Sequence, residues 1–146
     1  MAVKPVLRFR CGAGADQLRR IREAAAASLH NMGCDKETTD QIVLAINEAS
    51  MNIIQHAYGN ACSTHPRPEL ILELFWEDAS VKVLLTDFAD PVDPNSLQPR
   101  PLEDVKPGGL GLHFIRQVMD TVVLQHLPDA NGNVLRMEKT LKRKHG

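Results

Sequence analysis

Apolar positions recur along this chain with two periods, one near 3.6 and one of 2, and these periods divide it into helices and strands. The longest helical signature covers residues 41–58, QIVLAINEASMNIIQHAY. At about 100° per residue, Ile42, Ile46, Ala49, Ile53 and Ala57 fall in one arc, widened by Val43 and Ile54. Asp35 stands upstream as a capping residue. A second amphipathic helix covers residues 16–32, with Leu18, Ile21, Ala25, Leu29 and Met32 on one face and Gly33 to close it. A third, shorter one covers residues 112–119.

Alternation marks the strands. Leu7 and Phe9 alternate with Arg8 and Arg10 until Gly12 and Gly14 intervene. Residues 69–77 place Leu70, Leu72, Leu74 and Trp76 on one face, and three glutamates with Ile71 and Phe75 on the other. After a tight turn at Asp78-Ala79, Val81, Val83 and Leu85 repeat the pattern as far as Asp87. Residues 122–127 and 134–141 form a further pair turned at Asn131-Gly132. The order of elements predicts an α/β two-layer sandwich, with a mixed, mainly antiparallel sheet and helices on one face. Residues 59–68 and 95–106 carry prolines and no apolar period, so both read as loops; a loop of the second one's length in a compact domain is usually functional or disordered.

Three polar features stand out against this frame. Glu48 and Asn52 lie four residues apart on the side of the 41–58 helix opposite its oily arc, one turn above the other. Such a face is often simply solvated, but Leu44, Ala45 and Met51 flank this pair. Asp87 closes a strand rich in aliphatic residues, where an aspartate either caps a turn or presents a carboxylate in an apolar pocket. Gly108-Gly109-Leu110-Gly111 precedes a helix, an arrangement that turns backbone N–H groups toward an anion but also occurs with no ligand. It is neither a Walker loop nor a dinucleotide fingerprint.

Composition narrows the classes. With 146 residues and a formal net charge of −1, the chain reads as one domain with a real core and no nucleic-acid-binding face. Three scattered cysteines, Cys11, Cys34 and Cys62, have neither metal spacing nor an even count, so free thiols in a reducing, cytoplasmic setting are expected. No stretch has the form of a signal peptide or a bilayer span, so no membrane partner is expected.

Taken together, three segments resemble known boxes in the right order. They are Glu48-x-x-x-Asn52 with His56-Ala57-Tyr58, then Asp87-Phe88-Ala89-Asp90-Pro91-Val92-Asp93-Pro94, then the stretch from Gly108-Gly109-Leu110-Gly111-Leu112 through Arg116, Gln117, Met119 and Asp120. They are similar to the N box and the two glycine boxes of the histidine-kinase-like (GHKL) ATPase superfamily, in the form found in anti-sigma-factor serine/threonine kinases. The resemblance spans nearly the whole chain and implies the Bergerat-type ATP-binding fold.

The resemblance also implies roles. Asn52 would hold magnesium against the ATP phosphates, its amide oxygen being a hard, neutral ligand. Glu48 would be the general base. Asp87 would read the adenine amino group, with Ala89 beside it. Gly108, Gly109, Leu110, Gly111 and Leu112 would cradle phosphate at a helix N-terminus. Residues 95–106 would form the lid, from which Lys106 or Arg100 would reach the terminal phosphate. His56 would pack or lie on the lid side. Ala89 departs from the family pattern, which has glycine there; if that backbone requires φ > 0, alanine costs roughly 1 kcal/mol or more and adenine affinity falls.

The activity so implied is ATP-dependent phosphorylation of a small anti-sigma-factor antagonist, with a sigma factor or other regulated protein as the second partner and a homodimer as the common assembly. A non-catalytic nucleotide-binding module of the same fold is the alternative. A detached sensor-kinase domain is disfavoured, because the roughly forty residues ahead of the N box hold no phosphoacceptor hairpin beside the domain's own first strand and helix.

Overall fold

The computed structural model describes residues 3–59, 65–90, 109–127 and 131–141, and for residues 109–112 the backbone alone. Five strands form one sheet in the order β1-β2-β3-β5-β4: β1 Leu7–Gly12, β2 Glu69–Glu77, β3 Ser80–Asp87, β4 Thr121–His126 and β5 Asn133–Thr140. The expected mainly antiparallel sheet is found with every described pairing antiparallel. Short connections join two of these pairs, β2 with β3 and β4 with β5, while helices intervene between β1 and β2 and between β3 and β5. β2 and β3 are joined through Asp78 and Ala79, both at positive φ (52° and 60°), the conformation that matches a two-residue hairpin to strand twist.

Three helices accompany the sheet: α1 Leu18–Asn31, α2 Lys36–Asn52 and α3 Gly109–Val118. A 3₁₀ turn, Ala15–Gln17, leads into α1. Asp35 caps α2 as expected, accepting the Thr38 N–H at 2.7 Å on Oδ1. Ile21, Ala25 and Leu29 of α1 and Ile42, Ile46 and Ala49 of α2 pack in one cluster with Leu70, Leu72, Leu74, Val81, Val83 and Leu85 of the sheet. Trp76 breaks the expected alternation. It has the parity of the core-facing leucines yet remains 40% exposed, at the hairpin end of β2.

The central helix does not run as one α-helix to Tyr58. α2 stops at Asn52, and Ile53–Tyr58 continues in π-helical winding. The buried Ser50 hydroxyl donates back to the Ile46 carbonyl at 2.7 Å just before the change, a bond that often bends a helix. The rewinding moves Tyr58. At about 100° per residue Tyr58 would sit about 160° from Ile42, away from the core. Bonding from i to i+5 adds less rotation per residue, and over six residues the difference is on the order of a quarter turn, back toward the apolar arc. Tyr58 accordingly is 3% exposed and belongs to the core cluster.

Candidate nucleotide site

The last turns of α2 carry Glu48 and Asn52, both half-buried. Their spacing places them on neighbouring turns of the same face. The Asn52 Oδ1 atom is sealed from solvent and accepts no hydrogen bond among the described residues. A buried amide oxygen left this way is unfavourable by roughly 1–3 kcal/mol unless something binds it. It fits a hard cation: a neutral oxygen, desolvated in advance, at the end of a helix packed against the core. Among the described residues no group of three His, Cys, Asp or Glu side chains is placed to hold a metal ion.

Asp87 ends β3 and is 3% exposed. Its Oδ1 accepts two bonds, from the Ala89 N–H at 3.0 Å and from Asn133 Nδ2 at 3.0 Å. Burial pushes the carboxyl group up from its ordinary range; the bonds from Asn133 and Ala89 and the nearby His65 oppose that shift without cancelling it. The aspartate caps the turn at the strand end through its bond from Ala89, and it is also a desolvated carboxyl group held in a fixed orientation.

Asn133 was not legible as a functional residue in the sequence. It is 1% exposed and pairs in register with Asp87 across β3 and β5. Besides donating to Asp87, its Nδ2 lies 3.2 Å from the Asp90 carbonyl, and its Oδ1 lies 3.2 Å from His126 Nδ1. The Asn131-Gly132 turn was the available signal, since it placed a polar residue at the start of a strand. Gly132 itself has φ 152°, and a Cβ there would run into the Leu127 side chain and the Asp87 carbonyl oxygen.

Ala89 is buried beside Asp87, and the strain expected of an alanine there does not arise. Among the described residues, only Asp78 and Ala79 are non-glycine residues at positive φ. The backbone at 89 thus stays in ordinary conformational space, and alanine adopts it freely. Arg67 stacks over the neighbouring Phe88 ring at 3.6 Å from its centroid.

The glycine run is arranged differently from expectation. α3 begins at Gly109, so Gly109, Leu110, Gly111 and Leu112 form its first turn instead of preceding it. The physical reason is that the first-turn N–H groups of any helix lack intrahelical partners, so glycines inside that turn still leave those donors open to an anion. Lys106, Gly108, Arg100 and the 95–106 lid lie outside the described residues, as do Pro91 to Pro94. His56 is described and exposed.

An antiparallel sheet with helices packed on it, a buried carboxyl group at a strand end and a carboxamide at a helix end define an α/β sandwich. The sequence profile of the histidine kinase-like ATPase domain matches residues 11–139, and the chain belongs to that family. It is 29% identical over 135 residues to the serine-protein kinase RsbW of Bacillus cereus (strain AH820), covering 90% of this chain and 82% of that one. The RsbW of Bacillus mycoides (strain KBAB4) matches at the same identity and coverage. Among solved structures, the fold is similar to the RsbU and RsbW domains of a Mycobacterium tuberculosis protein, with TM-score 0.65 and 18% identity; the match covers 94% of this chain and 33% of that chain. It is also similar to the Pseudomonas aeruginosa SiaB–SiaC complex, with TM-score 0.62 and 14% identity over 94% of this chain and 91% of that one. No helix among the described residues is long and apolar enough to cross a membrane.

Proposed function

We propose that this chain binds ATP with magnesium and transfers the terminal phosphoryl group to a serine or threonine of a small partner protein of the anti-sigma-factor-antagonist kind. In its other state it holds a sigma factor or another regulated protein. The observation that carries the reading is the orphaned Asn52 Oδ1 one helical turn from Glu48, on a helix whose apolar face shares the core with β3, the strand that Asp87 ends. The relatives named serine-protein kinases support the same direction.

Each residue has a task that its chemistry suits. Asn52 would supply one neutral oxygen to magnesium, which neutralises developing phosphate charge when bound. Asp87, fixed through Oδ1, would accept a hydrogen bond from the adenine amino group. The first turn of α3 would direct N–H groups at phosphate. Glu48 would take the proton from the attacking hydroxyl as its oxygen bonds to the γ-phosphorus and the bond to the ADP oxygen breaks. A general base contributes typically about 10²–10⁴-fold. The product carries about two added negative charges, which would weaken docking beside an acidic group such as Glu48 and free this protein for its other partner.

Incubation with labelled ATP, magnesium and a small candidate antagonist protein tests the reading. Acid-stable label on that protein is expected. Acid-labile label on this chain, or bound ATP with no transfer, would overturn kinase activity in favour of a binding module.

A further inference from the structure

Tyr58 joins three backbone segments that are distant in sequence. Its hydroxyl accepts the Phe88 N–H at 2.8 Å and lies 2.7 Å from the Glu69 carbonyl, to which it donates. The Glu69 N–H at 3.2 Å and the Arg67 carbonyl at 3.1 Å complete the ring of neighbours. One hydroxyl thus meets the end of the α2 extension, the entry to β2 and the residue that follows Asp87. It does so from the core, where a hydrogen bond is electrostatically stronger than at the surface.

The local structure is shaped to put that hydroxyl there. The π-helical winding of Ile53–Tyr58 turns the side chain inward, as derived above. Gly59 then leaves the helix at φ 52° and ψ −133°, a conformation that side chains other than glycine's rarely adopt. The ring is braced at its edge by His65, with centroids 5.1 Å apart. π-helical insertions are uncommon and frequently lie at functional sites.

Resting on the nucleotide reading above, we infer that Tyr58 is a positioning residue that couples the two ends of the nucleotide. It lies six residues beyond Asn52 on a continuous helical run. Through Phe88 N–H it pins the backbone between Asp87 and Ala89, whose own N–H in turn holds Asp87 Oδ1. A shift of the helix end is therefore transmitted to the carboxylate, and a shift of the carboxylate to the helix that carries Asn52 and Glu48. As a positioning residue Tyr58 acts through Asp87 and α2.

Tyr58→Phe is the test, because it retains the ring and its packing and removes only the hydroxyl. Calorimetric titration with ATP and magnesium is run on four proteins: wild type, Tyr58→Phe, Asp87→Asn and the double variant. Removing the acceptor from a buried N–H predicts a loss of affinity between about 5- and 100-fold for Tyr58→Phe. The loss should largely vanish in the Asp87→Asn background, since both changes act on one contact. A purely structural role would lower stability but leave the two losses additive. Amide hydrogen exchange on the wild type adds an independent reading: the Phe88 amide should become slower to exchange when ATP binds. Equal ATP affinity of Tyr58→Phe and wild type, additive losses, or a Phe88 amide indifferent to ATP would overturn the inference while leaving nucleotide binding intact. Absence of ATP binding by the wild type would overturn both.

Discussion

Asn133 Nδ2 lies 3.0 Å from Asp87 Oδ1, across the β3–β5 pairing that sets the two residues opposite each other. The same oxygen accepts the Ala89 N–H. Two donors on one oxygen orient the carboxyl group, so a base that docked there, as proposed, would meet a group already oriented. Preorganisation of this kind reduces the entropy lost on binding.

Asp87→Asn separates binding from stability. The variant keeps an Oδ1 for both donors but offers an amide N–H₂ in place of the second carboxylate oxygen. ATP affinity should fall by about 1–3 kcal/mol, read by calorimetry with magnesium. Stability should move the other way. Burial raises the Asp87 carboxyl above its unfolded value near ~4, so its contribution is fully present below that pH and is lost as pH rises through the folded value. Asparagine does not titrate. In urea unfolding the variant should be at least as stable as wild type at pH 7, with the gap narrowing as pH falls toward ~4. Unchanged ATP affinity would remove Asp87 from the site.

Glu48→Gln should bind ATP and fail to transfer it. The amide preserves size and much of the hydrogen bonding, so only the proton acceptor is lost, and transfer to the partner should drop about 10²–10⁴-fold. Asn52→Ala should weaken magnesium-dependent ATP binding as well as turnover, and it removes the orphaned oxygen. Normal turnover by Glu48→Gln would send the search for the base elsewhere.

Asn133→Ala leaves Asp87 Oδ1 with the Ala89 N–H and a cavity where the amide stood. Unfolding free energy should fall by about 1–3 kcal/mol. Since the Asn133 bond opposes the upward shift of the Asp87 carboxyl, an NMR titration of that carboxyl should show its pKa moving further up. A carboxyl that titrates as in wild type would show that Asn133 does not hold it.

Ala79→Gly tests the hairpin independently of any function. Ala79 sits at φ 60° in the turn between β2 and β3, a region where Cβ is crowded and glycine is not. Relief of that crowding outweighs the extra entropy of the unfolded glycine, and stability should rise by roughly 0.5–1 kcal/mol in thermal or urea unfolding. ATP binding should not change.

The sequence by itself determined the layers and the family of the fold. The 3.6 and 2.0 periods are local properties, so the helix carrying Glu48 and Asn52 and the hairpin of β2 and β3 with its Asp78-Ala79 turn followed from spacing, while the exposure of the Glu48 and Asn52 face did not. Only the tertiary structure decided what surrounds those residues. Asn133 became the partner of Asp87 because β5 pairs with β3 in one register, and the periodicity of either strand alone is silent on register. Tyr58 left the position that a regular helix would have given it because the chain rewinds after Asn52 to satisfy a buried hydroxyl among three backbone segments. Ala89 proved free of strain because its φ follows from how the strand end is held, not from the glycine usual at that place in the motif. Contacts between residues far apart in sequence depend on which surfaces the core brings together, and that choice is made by packing the whole chain at once.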